Sequence, residues 1–295
     1  MTTVVTGGSG FIGSHIVDKL LERGEAVRVI DLVKPQRKDV EWIQVDLLNE
    51  NDVERAVSDA ETVYHLAAVA DVNKVLVDTK ACLRINEEGT LNLLKACTTK
   101  EADRVILAST TWVYGKTAGT VTEDSHLPPP DNIYTKTKIG QEHLTLAWHD
   151  HFGLDYTILR YDIPYGSRMR SNMAIAAFVR KAAKKEAITV FGDGGQGRCF
   201  IYVEDLAEGS IASSMPSGKN QIFNLAGAEF ITINDIVTQL KRRFGDLAIE
   251  HAPPRPGDFR GVRTSIEKAR TVLDWKPKID FEEGMERYVS SLKLH

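Results

Sequence analysis

Thr6-Gly7-Gly8-Ser9-Gly10-Phe11-Ile12-Gly13 is the stretch that decides the fold, because of what lies on either side of it. Before it, the β-branched residues at positions 2–5 predict a buried strand. After it, residues 16–24 have apolar side chains at helical spacing and end at a glycine. A strand, a glycine-rich turn and a helix in this order are the setting that a dinucleotide-binding loop requires. The sequence therefore predicts that this loop binds a dinucleotide.

Each glycine of the loop has its own task in such a site. Gly7 permits the tight turn, Gly10 lets the backbone approach a pyrophosphate, and Gly13 lets the helix pack on the strand. The N-terminus of the helix adds free N–H groups and positive potential for the phosphates. A glycine-rich turn without a ligand is the alternative, and the strand and helix around the loop argue against it. The expected cofactor contacts of the loop come from Gly7, Gly10, Phe11, Ile12 and Gly13.

The second apolar run, residues 27–32, indicates which cofactor is bound. Asp31 lies near its end, 18 residues after Gly13. A carboxylate at this place accepts hydrogen bonds from the adenosine ribose diol and repels a 2′-phosphate. Three basic residues follow between positions 34 and 38 and could soften that repulsion, but their pattern is more typical of a solvated loop. We therefore expect NAD in preference to NADP.

A second group of chemically active residues lies later in the chain. Tyr134 and Lys138 are four residues apart, so they would share one face of a helix. A neighbouring ammonium favours phenolate over phenol and lowers a tyrosine pKa from about 10. That change suits a general base for an alcohol near neutral pH. The pair gains weight from the Ser109-Thr110-Thr111 cluster, which stands 25 residues upstream of Tyr134 at the end of an apolar run.

Apolar runs alternate with helical stretches as far as residue 162. The predicted strands are residues 2–6, 27–32, 42–46, 62–68, 104–109 and 155–161, and helices are predicted over residues 51–60, roughly 75–98 and 134–152. This alternation predicts a parallel sheet covered on both faces, the doubly wound α/β class. Beyond it, shorter strands and more glycine indicate a smaller α/β lobe. We expect a nucleotide-binding domain over residues 1–162 and a substrate-binding lobe over most of residues 163–295.

The composition excludes several classes of protein. The 295 residues carry a net charge of −4 without a long basic run, which argues against a nucleic-acid surface. No stretch approaches about 20 apolar residues, so we expect no membrane span. Cys82, Cys97 and Cys199 are far apart and the eight histidines lack metal spacing, which predicts buried thiols and no metal. The early glycine loop leaves no room for a signal peptide, so we expect a cytoplasmic enzyme.

The pattern as a whole resembles one family. The chain is similar to the extended short-chain dehydrogenases/reductases, and among them to the NAD-dependent sugar-nucleotide epimerases and dehydratases, from Thr2 to about Leu292. Besides the residues above, the matching motifs are Asp46-Leu47, His65-Leu66-Ala67-Ala68, Asn86 with Gly89-Thr90, Val113-Tyr114-Gly115, Leu159-Arg160-Tyr161, Phe191-Gly192-Asp193-Gly194, Tyr202-Val203-Glu204-Asp205 and Arg255-Pro256-Gly257-Asp258. The resemblance implies a Rossmann fold that binds NAD.

The resemblance also implies a role for each matching residue. Tyr134 would take the proton of a sugar hydroxyl, Lys138 would bond the nicotinamide ribose, and Thr110 would hydrogen-bond the same sugar oxygen. Beyond the glycine loop and Asp31, the implied cofactor contacts come from Asp46, Leu47, Ala67, Ala68, Asn86, Tyr134, Lys138 and Tyr161. Residues near 199–227 would return to the first domain, and the helices at 75–98 and 134–152 would form the interface of a homodimer.

The implied substrate is a nucleotide-linked sugar, with UDP as the expected nucleotide. Asn172, Arg198 and Arg255 match positions that hold the diphosphate, although each alone could be a surface residue in a salt bridge. Two departures leave the base and the sugar open. Where relatives have Phe-Asn after Arg-Tyr, this chain has Asp162-Ile163, and the usual Arg-Asp-Phe motif is Arg198-Cys199-Phe200.

The residues after Thr110 distinguish the reactions of the family. Relatives that eliminate water place Asp-Glu directly after this threonine, and relatives that decarboxylate a glucuronate place a glutamate two residues after it. Here Thr111 and Trp112 occupy those positions, and neither is a general acid or base. The leading hypothesis is an NAD-dependent 4-epimerase. A sugar-nucleotide reductase or dehydrogenase is the enzymatic alternative, and a non-catalytic NAD-sensing protein is another, against which the intact catalytic residues argue.

Overall fold

The computed structural model describes residues 2–254 and 260–292. In these residues the strands are β1 (Thr2–Thr6), β2 (Val27–Ile30), β3 (Glu41–Ile43), β4 (Ala60–His65), β5 (Arg104–Thr110), β6 (Thr120–Val121), β7 (Asp155–Tyr161), β8 (Pro164–Tyr165), β9 (Ile188–Phe191), β10 (Gly197–Arg198), β11 (Ile201–Tyr202), β12 (Gln221–Leu225), β13 (Ile231–Thr232), β14 (Ile249–Ala252) and β15 (Arg263–Thr264). The helices are α1 (Phe11–Glu22), α2 (Glu50–Ala56), α3 (Val72–Val77), α4 (Thr79–Leu83), α5 (Gly89–Thr99), α6 (Ile133–Phe152), α7 (Ala174–Ala183), α8 (Val203–Ala212), α9 (Ile233–Phe244), α10 (Glu267–Val272) and α11 (Phe281–Ser291). A π-helical turn spans Arg84–Glu88, and 3₁₀ turns span Thr111–Tyr114 and Pro216–Gly218.

Seven strands form one parallel sheet in the order β12-β7-β5-β4-β1-β2-β3. The direction in which the chain adds strands reverses between β1 and β4. In sheets of this kind a ligand binds at that reversal, outside the carboxyl ends of the strands. The predicted doubly wound α/β class is therefore confirmed, and its topology places a site next to the glycine loop.

Apolar helix faces cover both sides of the sheet, because central parallel strands carry side chains that must be buried on both faces. On one face α1 and α8 pack together, with Ile16 and Leu206 in the same cluster as Val5 of β1. On the other face α2, α5 and α6 pack, with Leu93 in the same cluster as Val63 of β4. The rigid layer beneath the carboxyl edge of the sheet is thus built from both faces.

The C-terminal lobe has a core of its own. Its buried residues include Val179 of α7, Val190 of β9, Leu240 of α9 and Met285 of α11. Short strand pairs (β8 with β11, β9 with β14, β10 with β13) complete this lobe. Between these elements the chain returns to the large sheet, where β12 pairs with β7. The domain boundary at residue 162 stays a prediction.

The single helix predicted over residues 75–98 is wrong. The structure divides it into the end of α3, then α4, the π-helical turn and α5. Asp78 is the reason for the first break, because its side chain accepts a hydrogen bond from the Ala81 N–H at 2.9 Å and caps a new helix. By contrast, the helix predicted over residues 134–152 is found as α6. It begins after the cap Asn132 and ends at Gly153, whose φ is +73°.

Across residues 2–254 and 260–292, no helix has both the length and the apolar character needed to cross a membrane. In that part of the chain, no three His, Cys, Asp or Glu side chains are grouped so that they could hold a metal ion.

All three cysteines are buried free thiols, as predicted. Burial raises the pKa of the Cys97 thiol to about 12, so this thiol stays protonated at neutral pH.

Candidate active site

The glycine loop turns sharply between β1 and α1. Gly7 has a φ of +70°, and a Cβ at this position would lie 2.7 Å from the backbone nitrogen of Ala67. A Cβ on Gly13 would collide with the carbonyl oxygen of Gly7. The Gly7 N–H donates to the Ile30 carbonyl at 2.9 Å, and the Gly10 N–H donates to the Gly7 carbonyl at 3.0 Å. A larger residue at position 7 or 13 would therefore push the loop away from the strand ends.

The N-terminus of α1 is suited to binding an anion. Gly10 is its N-cap and offers no side-chain acceptor, and the first turn contains no acidic residue. The first N–H groups of a helix have no partner within the helix, and the helix dipole favours negative charge there. The loop therefore fits the pyrophosphate of NAD, which the backbone of Phe11, Ile12 and Gly13 would hold.

Asp31 connects the end of β2 to the glycine loop. Its Oδ2 accepts a hydrogen bond from the Ser9 N–H at 3.1 Å, and its Oδ1 accepts one from the Val33 N–H at 3.0 Å. Each carboxylate oxygen can accept a second bond, so both can still receive a ribose hydroxyl. Among the basic residues that follow, Arg37 pairs with Asp39 and does not neutralise Asp31. This arrangement fits the expected preference for NAD.

The loop after β4 packs directly against the glycine loop. The Ala67 N–H donates to Thr6 Oγ1 at 3.2 Å, and His65 lies between Thr6 Oγ1 and Thr90 Oγ1 at 2.8 Å from each. Burial and the charge of Lys138 lower the pKa of His65 to about 3, so this imidazole is neutral. Ala67, and Ala68 after it, are thus fixed beside Gly7, as a floor under a cofactor requires.

Asn86 holds the same loop from behind. Its side chain is fully buried, its Oδ1 accepts from the Val69 N–H at 2.7 Å, and its Nδ2 donates to the Val69 carbonyl at 3.2 Å and to Thr137 Oγ1 at 3.0 Å. The structure therefore gives Asn86 a positioning role, and its direct contact with NAD stays a prediction. Of two further implied cofactor contacts, Asp46 is exposed, while Leu47 is buried and its carbonyl accepts from Asn92 at 2.9 Å.

Tyr161, an implied cofactor contact, lies in the protein core, and its contact with NAD stays a prediction. Its ring packs in the core cluster under α1 and α8, and its hydroxyl lies 2.8 Å from Ser210 Oγ. Successive residues of a strand point to opposite faces, so the end of β7 directs this ring into the sheet covering and not over the edge. The geometry therefore makes Tyr161 a core residue.

Thr110, Tyr134 and Lys138 lie on neighbouring elements at the carboxyl edge of the sheet. Thr110 ends β5, and its Oγ1 accepts from the Trp112 N–H at 3.3 Å. Tyr134 lies in the first turn of α6, and the Trp112 ring packs edge-on against it with a centroid distance of 6.2 Å. One turn later, Lys138 Nζ donates to the Ala108 carbonyl at 2.9 Å. The residues that the sequence predicted to act together are thus held on neighbouring elements.

The electrostatics of this group differ from the expectation. Burial raises the pKa of Tyr134 to about 12, whereas a lowered value was predicted, and burial lowers the pKa of Lys138 to about 8. The Lys138 ammonium is bonded to a strand carbonyl, and the cation that lowers the pKa of Tyr134 is Arg170. The prediction that Lys138 sets the pKa of the phenol is therefore wrong for the protein alone. Sequence reasoning missed Arg170, for which no local motif gave a signal.

A buried ion pair lies behind Lys138. Glu142 and Arg160 are 2% and 4% exposed, and their Oε2 and Nη2 atoms are 2.8 Å apart. Glu142 also accepts from Ser109 Oγ, and Arg160 donates to the Tyr114 hydroxyl at 3.0 Å. The charge of Glu142 raises the pKa of Lys138 and so opposes the effect of burial. Glu142 could have been found in the sequence, because it lies four residues after Lys138 on the same helix face.

Two of the predicted substrate residues have contacts that the structure describes. Asn172 is exposed and donates to Asp71 Oδ2 at 2.9 Å. Arg198 is half-buried on β10, and its Nη1 donates a hydrogen bond to the carbonyl of the preceding residue, Gly197, at 2.7 Å. Its charge acts on Asp162, which places it near the edge of the sheet. Arg255 lies outside the described residues.

Asp162 is a buried carboxyl group beside Thr111, and sequence reasoning gave it no role. It follows β7 directly and is 3% exposed. Its Oδ2 accepts from Thr264 Oγ1 at 2.7 Å, its Oδ1 accepts from the Ile163 N–H at 2.9 Å, and the Thr111 side chain also bonds to it. Burial raises its pKa to about 6 against these bonds. Both oxygens are therefore engaged within the protein.

Comparison with known proteins identifies the family. The model of the NAD dependent epimerase/dehydratase family matches residues 3–226. The chain belongs to this family. It is therefore an enzyme of the NAD-dependent type, and NAD is its cofactor.

The relatives carry out more than one reaction. A UDP-glucuronate 4-epimerase of Thermodesulfobacterium geofontis is 33% identical over 97% of this chain and 94% of its own. UDP-glucuronic acid decarboxylase 1 of Danio rerio is 32% identical over 97% of this chain and 71% of its own. The solved structure of a Thermotoga maritima UDP-glucose 4-epimerase with UDP-glucose superposes with a TM-score of 0.92, at 30% identity over 99% of both chains. These proteins establish the family and the fold, and they leave the reaction to the chemistry of the site.

Proposed function

We propose that the protein is an NAD-dependent 4-epimerase of a UDP-linked sugar. The observation that carries this proposal is the set of Thr110, Tyr134 and Lys138 at the carboxyl edge of the sheet, followed after the threonine by Thr111 and Trp112, neither of which is a general acid or base. A single base and a hydride acceptor suffice for epimerisation. The names of the relatives, which include 4-epimerases of UDP-glucose and UDP-glucuronate, support both the reaction and the nucleotide.

Each side chain has a step that its position suits. Tyr134 takes the proton of the sugar hydroxyl at C4 and returns it after the sugar has turned over. Thr110 hydrogen-bonds the same oxygen from the end of β5, so that the oxygen stays fixed while its charge changes. Lys138, held by the Ala108 carbonyl, places a cation next to the site. NAD, when bound, supplies the carbon that accepts hydride from C4 and gives it back.

Decarboxylation is the main competing reaction, because several relatives are named for it. It would be favoured by a carboxylate near Thr110. Asp162 lies near Thr110, because it directly follows β7, whose last residue pairs with Thr110. However, both carboxylate oxygens of Asp162 accept hydrogen bonds from within the protein, and its side chain is 3% exposed. Trp112 is 36% exposed and its ring packs against Tyr134. Its indole N–H is not an ionisable group. The arrangement therefore favours hydride return without loss of carbon dioxide.

The test is incubation of purified, NAD-loaded protein with UDP-sugars in deuterated water, followed by NMR. We expect the C4 epimer to form without added NAD, without net NADH and without deuterium at C4, since a returning hydride does not exchange with solvent. Stoichiometric NADH would establish the dehydrogenase alternative. A pentose product with carbon dioxide would establish decarboxylation. Bound NAD that is not reduced by any sugar nucleotide would favour the NAD-sensing protein.

We also propose that the protein is a homodimer formed through α5 and α6. These helices lie side by side, with Trp148 Nε1 donating to Thr98 Oγ1 at 2.8 Å, and Leu91 on α5 is 38% exposed. Sedimentation equilibrium should give twice the mass of the chain. A Leu91→Glu variant should shift the equilibrium towards the monomer, and a monomeric wild type would refute the proposal.

A further inference from the structure

Thr137 carries a fully buried hydroxyl on α6, three residues after Tyr134. Its Oγ1 lies 2.8 Å from the Tyr134 carbonyl oxygen and 3.0 Å from Asn86 Nδ2. A hydroxyl has one hydrogen to donate, and a carbonyl oxygen can only accept. The Thr137 hydroxyl therefore donates to Tyr134 and accepts from Asn86. A threonine that bonds a carbonyl of its own helix is common, but this one also joins the helix to a residue 51 positions earlier in the chain.

The orientation of the Asn86 amide is fixed by its other partners. Its Oδ1 accepts from the Val69 N–H at 2.7 Å, and its Nδ2 donates to the Val69 carbonyl at 3.2 Å. The N–H can only donate and the carbonyl can only accept, so the amide cannot be reversed. Asn86 lies in the π-helical turn Arg84–Glu88, a distortion that is frequent at functional sites. One side chain thus connects the Val69 backbone to the Thr137 hydroxyl.

The loop that Asn86 holds lies against the glycine loop. Val69 is two residues after Ala67, whose N–H donates to Thr6 Oγ1 at 3.2 Å. A Cβ on Gly7 would lie 2.7 Å from the same Ala67 nitrogen, so the two loops are in direct contact. Through Asn86, the first turn of α6 is therefore joined to the backbone beside the glycine loop.

A second series of hydrogen bonds reaches Asn86 from the glycine loop. His65 lies 2.8 Å from Thr6 Oγ1 and 2.8 Å from Thr90 Oγ1, and all three side chains are buried. The Thr90 hydroxyl donates its hydrogen to the Asn86 carbonyl, so it accepts from His65 Nε2. Nδ1 of the neutral His65 ring then carries no hydrogen and accepts from the Thr6 hydroxyl. The backbone of Asn86 is thus fixed relative to the glycine loop, as its side chain is.

We propose that Thr137 is a positioning residue, which sets the place of Tyr134 relative to the glycine loop. Its hydroxyl holds the first turn of α6 on Asn86, and Asn86 holds the backbone beside the glycine loop. The inference rests on the proposed role of Tyr134 as the base, but not on the identity of the sugar. In that reaction the hydride leaves the carbon whose oxygen loses its proton, so the base and the cofactor must keep one separation. The hydrogen bonds of Thr137 provide it.

The experiment compares Thr137→Val, Thr137→Ser and Thr145→Val in NAD-loaded protein. Valine keeps the shape of threonine without the hydroxyl, whereas serine keeps the hydroxyl. We expect Thr137→Val to lower kcat about tenfold and to change KM less than about twofold, because a small displacement of a catalytic group slows the reaction while the substrate contacts remain. Thr137→Ser should restore most of the rate. Thr145→Val is the matched control, since it removes a buried hydroxyl of α6 that donates to the Gln141 carbonyl at 2.9 Å, and it should leave kcat unchanged.

A double-mutant cycle with Asn86→Ala tests the route of the effect. If Thr137 acts through Asn86, the double variant loses little more kcat than Asn86→Ala alone, which is a non-additive cycle. Additive losses would refute the link between the two side chains. An equal loss of kcat in Thr145→Val would show that any buried hydroxyl of α6 has this effect, and it would also overturn the proposal.

Hydrogen exchange of the Val69 amide separates this inference from the proposed function, because it needs no substrate. Thr137→Val removes the oxygen that accepts from Asn86 Nδ2, so Asn86 should hold Val69 less firmly. We expect the Val69 amide to exchange about tenfold faster than in wild type, and Thr145→Val to leave its exchange unchanged. Faster exchange in a protein that epimerises no sugar would keep the link and refute the proposed reaction. Unchanged exchange would refute the link in an active and in an inactive enzyme alike.

Discussion

Removal of the buried Glu142 carboxylate tests how Lys138, the proposed catalytic lysine, is supported. In Glu142→Ala, Arg160 loses its two bonds to this carboxylate, at 3.1 and 2.8 Å, and keeps those to the Tyr114 hydroxyl and the Glu123 carbonyl. Arg160 is 4% exposed, so its charge would stay buried and largely uncompensated. Breaking a buried ion pair in this way costs about 3–5 kcal/mol. For a chain of this size, the melting temperature should fall by roughly 6–10 °C.

Urea unfolding at a fixed NAD concentration measures this cost, since cofactor binding itself stabilises the folded state. The control is Glu267→Gln, which breaks the ion pair between two side chains about 60% exposed and should leave stability nearly unchanged. The Glu142 variant should also lower the pKa of Lys138 further, because Glu142 is the main group that raises it. A loss below about 1 kcal/mol in Glu142→Ala would show that water replaces the carboxylate, and the ion pair would then have no part in fixing Lys138.

Four other changes have defined outcomes. Tyr134→Phe should lower turnover by several orders of magnitude while NAD stays bound, and near-normal turnover would disprove its role as base. Asp31→Ala should weaken NAD binding and narrow the preference over NADP, measured as the ratio of the two affinities; an unchanged ratio would contradict the assignment. Arg198→Ala should raise KM for the sugar nucleotide by a factor equivalent to about 1.5–3 kcal/mol of binding free energy, and it should leave NAD affinity unchanged. Equal weakening of NAD binding would show that Arg198 does not belong to the substrate site. Asp162→Asn should become more stable relative to wild type as pH rises from about 4 to 7. The raised pKa of Asp162 stabilises the wild-type fold at low pH, and that stability is lost as pH rises through the folded pKa near 6. A stability difference between variant and wild type that does not change with pH would argue against the raised pKa.

The sequence predicted the sheet well, because its strands are buried on both faces and therefore appear as continuous apolar runs. Residues 104–109 and 155–161 coincide with β5 and β7 almost to the residue. The run at 62–68 was extended too far, since β4 ends at His65 and the following apolar residues pack against the glycine loop. The helix at 75–98 failed because apolar spacing continues across Asp78, whose side chain starts a new helix.

The site was predictable where one local segment defines a role. The glycine loop, Asp31, Tyr134 and Lys138 each depend on a few neighbouring residues, and the structure places them at the carboxyl edge. The charge that lowers the pKa of Tyr134 was not predictable, because Arg170 lies 36 residues further along the chain. Spacing within one helix suggested Lys138, but the competing bond to a strand carbonyl depends on packing between elements.

The departure at Asp162-Ile163 shows how such packing changes the chemistry available. A carboxyl stands where relatives have an aromatic ring, and an aliphatic side chain stands where they have an amide. The carboxyl is held by Thr264 and the Ile163 N–H, so the exchange joins β15 to the end of β7. Ile163 cannot hydrogen-bond a phosphate or a sugar through its side chain. A diphosphate bound at this edge must therefore rely on charged neighbours, and the field of Arg198 on Asp162 shows that a guanidinium is within reach. This is the physical reason to expect Arg198→Ala to weaken substrate binding more here than in a protein that keeps the amide.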